Sequence, residues 1–97
     1  GRRFDSGRLH ISLMVRTYRV ELETDAQTGQ VCATLPTLND LSDFGETVEE
    51  ALANLHQLAE FALRCRLDEG EPIPPSDPVR SGEVYLSLEV PATVPTP

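Results

Sequence analysis

The spacing of hydrophobic and polar positions changes twice along this chain of 97 residues. Apolar and polar residues alternate over residues 17–22, 30–35 and 83–90, and this period of two is typical of strands with one buried face. Between the second and third of these segments, the apolar residues recur at helical spacing instead: Val48, Ala51, Leu52, Leu55, Leu58, Ala59, Ala62 and Leu63. The pattern therefore predicts one long helix among strands.

Both ends of the predicted helix carry local signals. Thr47 and Glu50 have the spacing of a capping box, in which the hydroxyl accepts a backbone N–H and the carboxylate reaches back to the cap. Glu49 adds negative charge to the first turn, which the helix dipole favours. Gly70 should end the helix. We expect the helix to cover residues 47–69.

The remaining segments predict an α+β fold. Turn residues at 25–29 join the first two strands into a hairpin, and residues 38–44 have the spacing of a short third strand or an anchored loop. The proline-rich residues 70–78 predict an extended return path to the last strand. We predict one domain over residues 15–90, an antiparallel sheet of three or four strands with the helix packed on one face, in the order β-β-β-α-β. Residues 91–97 should form a disordered tail.

Residues 1–14 are assigned as a separate N-terminal arm. A leading Gly is typical of a cleaved tag, and Met14 is a candidate start, so part of the arm can be foreign. Leu9, Ile11 and Leu13 nevertheless alternate with polar residues, which favours a strand on this molecule or on a neighbour's edge. Because a sheet of this size leaves edges to pair, we expect a homo-oligomer, most simply a two-fold dimer, with the arm or the last strand at the contact.

Charge divides the chain into a basic start and an acidic body. Residues 1–20 contain five arginines and one aspartate, a net charge of +4, whereas residues 21–97 contain three arginines and fifteen acids, a net charge of −12. An acidic surface repels phosphate backbones and attracts basic proteins through long-range steering. A charged face that only keeps a small protein in solution is the alternative.

The motifs of common sites are missing from the sequence. There is no apolar run long enough to span a bilayer and no export signal, so we expect a cytoplasmic protein. Cys32 and Cys65 lack metal-binding spacing, and we interpret both as small buried hydrophobes. No phosphate-binding loop, nucleophile motif or metal-ligand cluster is recognisable, so we predict no catalytic residue, cofactor or metal.

Several segments resemble the HicB-like antitoxin family. They are Tyr18-Arg-Val-Glu-Leu-Glu, Gly29, Ala33-Thr-Leu-Pro36-Thr-Leu38, the run GETVEEALAN at 45–54 and the connector GEPIP at 70–74. The resemblance covers residues 15–90 and implies a partial RNase H-like sheet crossed by one helix, which binds and blocks a small basic ribonuclease toxin of the HicA type. Residues 37–41 depart from the Gly-Cys-type turn of many members. The C-terminal DNA-binding domain of many members is also missing, so no operator binding is expected.

The functional prediction is an antitoxin-type module that binds a basic protein and has no catalytic activity. The acids predicted to face the partner lie on the first strand, its turn and the following loop: Glu21, Glu23, Asp25, Asp40 and Asp43. One alternative is a solitary oligomeric scaffold or regulatory protein without a toxin.

The enzymatic alternative is a metal-dependent RNase H-like nuclease. It would combine Glu21, Glu23 and Asp25 with Asp43, Glu46 or Glu50. We favour it less, because Glu21 and Glu23 lie opposite the predicted buried face and Glu50 is engaged in capping.

Overall fold

The computed structural model describes the backbone of residues 11–93 and the side chains of residues 14–90. Within this part the elements are β1 (Ile11–Thr24), β2 (Val31–Leu35), a 3-10 turn (Pro36–Leu38), β3 (Leu41–Gly45), α1 (Val48–Asp68) and β4 (Val84–Thr93). The strands form one antiparallel sheet in the order β3-β2-β1-β4. The predicted α+β fold and the order β-β-β-α-β are confirmed.

β1 is long because it has different partners along its length. Residues 11–20 pair with β4, from Ile11↔Thr93 to Val20↔Val84, and residues 21–24 pair with β2. Both β1 and β4 extend beyond the ends that the sequence predicts, since β1 begins inside the predicted arm and β4 continues into the predicted tail. Pro91 in the sequence predicted the end of the last strand. An edge strand nevertheless tolerates a proline whose nitrogen faces away from the neighbouring strand.

One face of the sheet packs against α1 and forms the core. The sheet contributes the buried residues Tyr18, Val20, Val31, Ala33, Leu35, Leu86, Leu88 and Val90, the 3-10 turn contributes Leu38, and α1 contributes Ala51, Leu55, Ala59 and Leu63. The four helix residues are spaced four apart and form a single stripe. The buried stripe is narrower than the apolar face predicted from the sequence, because Leu52, Leu58 and Ala62 are only half-buried and Val48 is 44% exposed.

The predicted helix signals act at both ends of α1. Thr47 is the N-cap, and its Oγ1 accepts the N–H of Glu50 at 3.0 Å. The Glu50 carboxylate accepts the N–H of Glu46 at 2.6 Å, one residue before the cap rather than at the cap itself. At the other end Gly70 adopts a φ of +73° and donates its N–H to the carbonyl of Leu67. This left-handed turn ends α1 as predicted.

Gly45 sets how closely β3 approaches α1. A Cβ at this position would clash with the backbone of Glu50 and Ala51 in the first turn of the helix. The Gly at the end of β3 therefore allows the chain to enter α1 directly after the strand.

The connector, residues 70–83, is fixed to the sheet mainly by side chains. The Tyr18 hydroxyl donates to the carbonyl of Pro74 at 2.6 Å. The Asp77 carboxylate accepts the backbone N–H of Arg19 and the hydroxyl of Thr37, both at 2.8 Å. Asp77 thus joins β1, the 3-10 turn and the connector.

Backbone groups of Thr17 complete the attachment of the connector. The Thr17 N–H donates to the Ser76 hydroxyl at 2.9 Å, and the Thr17 carbonyl accepts the N–H of Asp77 at 2.9 Å. β2 pairs only with residues 21–24 of β1, so the connector satisfies the edge of β1 that β2 leaves uncovered. No helix within residues 11–93 is long and apolar enough to cross a membrane.

Candidate functional site

The face of the sheet opposite α1 is not covered by any helix in the described part of the chain. We name it the open face. Strand register and alternation place these residues on it: Val15, Thr17, Arg19, Glu21 and Glu23 of β1, Cys32 and Thr34 of β2, Ser42 and Phe44 of β3, and Tyr85, Ser87 and Glu89 of β4. Most of these side chains are polar or charged. The open face is therefore a candidate surface for contact with a partner.

Arg19 organises the charges at the centre of the open face. Its Nη1 lies 3.0 Å from the Glu21 carboxylate, and its Nε lies 3.5 Å from that of Glu83. The hydrogen bond to Glu21 raises the pKa of Arg19, so the guanidinium stays charged. Glu21 is thus already partnered within the molecule, and it is less available to another protein than Glu23.

A cleft of about 370 Å³ opens where β1 reaches its turn. We name it the Phe44 cleft. Its lining consists of Glu23, Thr24, Asp25, Gln30, Cys32 and Phe44. The Phe44 side chain is 52% exposed, and Cys32, which pairs with it in the strand register, is half-buried. The cleft therefore combines an apolar wall with two carboxylates.

The turn after β1 holds the Asp25 carboxylate in place. Asp25 Oδ1 accepts the N–H of Gln27 at 2.8 Å and that of Thr28 at 3.3 Å, while Gly29, with a φ of +75°, closes the turn. Within residues 14–90, Asp25 Oδ2 accepts no hydrogen bond and Glu23 forms no ion pair. Both carboxylates keep acceptor capacity for a cation that enters the cleft.

The other two predicted acids lie elsewhere. Asp40 is in the turn before β3, with a φ of 58°, at the opposite end of β2 from Asp25. Asp43 pairs with Ala33 on the α1 side of the sheet and lines a separate groove of about 310 Å³ with Asn54, Gln57, Leu58 and Phe61. Only Glu21, Glu23 and Asp25 share a surface.

The sequence analysis did not single out Phe44 and Cys32 for the site. The spacing of Leu38, Leu41 and Phe44 predicted a short third strand or an anchored loop, but it did not show that Leu41 and Phe44, an odd number of residues apart in β3, lie on opposite faces. Cys32 lies between core residues Val31 and Ala33, so the period of two in β2 already directs it to the open face. The structure shows Cys32 and Cys65 as free, half-buried thiols rather than fully buried ones.

The carboxylates that the nuclease alternative requires are not brought together. Among the described residues, no three His, Cys, Asp or Glu side chains are placed to hold a metal ion. Glu21 pairs with Arg19, Glu50 accepts the N–H of Glu46, and Asp43 lies on the other side of the sheet from Glu23. The open face can offer charge and an apolar contact to a partner.

No model of a known protein family matches this chain, and no curated protein matches it. The resemblance to the HicB-like antitoxins therefore depends on the segments quoted above and on the element order that they imply.

Proposed function

We propose that this chain is a non-catalytic protein-binding module whose Phe44 cleft receives a cationic side chain of a basic partner. The observation that carries the proposal is the position of the Glu23 and Asp25 carboxylates beside the exposed Phe44 ring. The family resemblance supplies the class of partner, a small basic ribonuclease toxin of the HicA type, which the chain would neutralise as an antitoxin does.

The chemistry of the cleft suits an arginine or lysine side chain. The aliphatic part of either side chain can pack along the Phe44 ring, while its charged group reaches the carboxylates of Glu23 and Asp25. A guanidinium can also donate two parallel hydrogen bonds to one carboxylate. The cleft thus accommodates both halves of a long basic side chain.

The apolar contact and the acids have separate roles in this proposal. An exposed ion pair contributes only about 0–1 kcal/mol, so the carboxylates alone would hold a partner weakly. Burial of the Phe44 ring would supply the affinity, and the acids would raise the rate and specificity of association. The net charge of −8 adds long-range attraction for a basic protein.

The arrangement of elements is consistent with this function. The resemblance implies a sheet crossed by one helix, and α1 crosses one face of a four-stranded sheet here. The helix closes one face, so a partner would meet the open face or an edge.

The test uses the product of the reading frame next to the one that encodes this chain. If that frame encodes a basic protein of domain size, its cleavage of RNA is measured with increasing amounts of this chain. We expect cleavage to stop near a ratio of one to one. The proposal is overturned if the neighbouring protein is not basic or if its activity is unaffected by an excess of this chain.

Two controls accompany the cleavage assay. Changing Phe44 to Ala and Glu23 to Lys together should restore cleavage, whereas Phe61→Ala, in the separate groove beside α1, should still inhibit. This chain is also incubated alone with RNA and magnesium or manganese. Cleavage that disappears in Glu23→Gln would contradict the non-catalytic assignment and favour the nuclease.

The second candidate function is an oligomeric scaffold or regulatory protein without a toxin. The observation that favours it is the outer edge of β4, which no other strand within residues 11–93 covers.

A further inference from the structure

The β3 edge of the sheet is blocked by side chains. The N–H of Phe44 donates to Asp43 Oδ1 at 2.8 Å, and the carbonyl of Phe44 accepts from Asn54 Nδ2 at 2.8 Å. Because these backbone groups point away from β2, Phe44 and, by alternation, Ser42 are the outward residues of β3. Phe44 is already satisfied, so this short edge offers only the groups of Ser42 to an added strand.

The β4 edge of the sheet, in contrast, is not blocked by side chains of the described residues. The N–H groups of Thr17 and Arg19 donate to Ser76 and Asp77, away from β4. The alternate residues of β1, at 16, 18 and 20, must therefore bond to β4, where they pair with Leu88, Leu86 and Val84. The residues between them turn their N–H and C=O groups outward: Tyr85, Ser87 and Glu89. No described residue outside β1 forms a hydrogen bond to these groups.

We propose that this edge pairs with the same edge of a second copy, antiparallel, about a two-fold axis at Ser87. Ser87 then lies opposite Ser87 of the second copy, and Tyr85 lies opposite Glu89. All the outward groups between 85 and 89 are satisfied in this register. Two four-stranded sheets would become one sheet of eight strands.

The neighbouring registers are less favourable for specific reasons. An axis at Leu86 would set Glu83 opposite Glu89, two like charges directly across the strands. An axis at Leu88 would set Pro91, which has no N–H, opposite Tyr85 in a hydrogen-bonded pair. The axis at Ser87 sets no like charges opposite each other, and it places Pro91 opposite Glu83, which lies before the start of β4, rather than opposite a residue of the strand.

On the α1 side of the two paired β4 strands, apolar side chains lie opposite apolar side chains in this register. Leu86 lies opposite Leu88 of the second copy, and Val84 lies opposite Val90. Val84 is 37% exposed in the single chain, so the pairing would cover an apolar side chain at the border of the core. The core would continue from one copy into the other.

Charge gives the pairing a recognisable salt dependence. Each copy carries a net charge of −8, so two copies repel each other at low ionic strength and the dimer should strengthen as salt is added. Binding of a basic partner should weaken under the same change. The two associations can therefore be separated in one titration.

Sedimentation of the full chain with a matched pair of proline variants tests the proposal. We expect a species of twice 10.7 kDa for the unmodified chain at high micromolar concentration. Ser87→Pro removes an outward N–H and should sediment as a monomer, whereas Ser42→Pro, the equivalent change on the β3 edge, should remain dimeric. Both should keep the circular dichroism of the unmodified chain, because neither N–H is needed within one copy.

Amide hydrogen exchange on the unmodified chain decides the question if Ser87→Pro does not fold. The amides of Tyr85, Ser87 and Glu89 should become protected as the concentration rises, while that of Ser42 exchanges quickly throughout. A monomer at every concentration, a dimer that survives Ser87→Pro, equal dissociation of both variants, or fast exchange at all three β4 amides would each overturn the proposal.

Discussion

The two faces of the sheet are made by the same strands, yet their residues serve different purposes. Under α1, Tyr18, Leu35 and Leu88 have no exposed surface and belong to the same buried cluster as Leu55 of the helix. On the open face the neighbouring positions carry charges and the exposed ring of Phe44. Because side chains alternate along a strand, adjacent residues should respond oppositely to substitution. Changes on the covered face should alter stability, and changes on the open face should alter association.

The largest effect should come from Leu55→Asp on the covered face. An unpaired carboxylate would replace a fully buried side chain, at a cost of several kcal/mol, comparable with the whole stability of a small domain. We expect this variant to lose its cooperative melting transition in circular dichroism. Leu52→Asp should cost less, because Leu52 is only partly buried.

Phe61→Asp is the matched control on α1, since Phe61 is 61% exposed. Its free energy of unfolding should stay within about 0.5 kcal/mol of that of the unmodified chain. Equal melting behaviour of the Leu55 and Phe61 variants would contradict the assignment of the covered face.

The next effect concerns the connector. Asp77→Ala would leave the Arg19 N–H and the Thr37 hydroxyl without their acceptor and should cost about 1–3 kcal/mol in chemical denaturation. Glu71→Ala, an exposed acid of the same connector, should cost little. A loss at Asp77 no larger than that at Glu71 would show that the connector does not depend on this carboxylate.

Tyr18→Phe should have a smaller effect, with a pH dependence. Losing the hydrogen bond to the Pro74 carbonyl should cost about 1 kcal/mol. Burial raises the pKa of Tyr18 above its ordinary value near 10, so the folded chain holds this proton more tightly than the unfolded chain.

The stability linked to the Tyr18 proton is complete below the unfolded pKa and is lost as pH rises through the folded pKa. Unfolding measured from pH 8 upward should show a steeper alkaline loss for the unmodified chain than for Tyr18→Phe. Parallel curves would mean that the hydroxyl titrates as it does in water.

The smallest effect on stability should follow reversal of the open-face acids. Changing Glu21, Glu23 and Asp25 together to Lys should lower the melting temperature only modestly, because all three side chains are exposed. The loss that remains comes from the turn hydrogen bonds of Asp25 and the exposed ion pair between Glu21 and Arg19. Association with a basic partner, followed by stopped flow, should become slower and less sensitive to salt. An unchanged rate at low salt would mean that these acids serve solubility alone.

Local signals in the sequence predicted the helix and the faces of the strands. Thr47 and Gly70 mark the ends of α1 as the structure has them, and the period of two identifies the buried residues of β2. The ends of β1 and β4 could not be predicted, because Pro91 interrupts the pattern and each strand is defined by pairing with the other.

Contacts between distant residues were also beyond the sequence. Asp77 forms hydrogen bonds with Thr37 and Arg19, which are 40 and 58 positions away along the chain, and no local spacing predicts such contacts. The Phe44 cleft likewise requires the β1 turn and β3 to be placed beside each other, which only the register of β2 reveals. The sequence identified the acidic residues that could face a partner, but only the fold shows which of them lie on the same surface.

If the neighbouring reading frame encodes a basic protein, the most direct test of the proposed binding role is the dissociation constant of its complex with this chain. Phe44→Ala and Phe61→Ala each remove one exposed ring, on the open face and on α1. We predict that Phe44→Ala weakens binding at least about tenfold, as expected for an aromatic residue at the centre of an interface, and that Phe61→Ala leaves it unchanged. Equal affinities of the two variants, or a loss at Phe61 alone, would contradict the account.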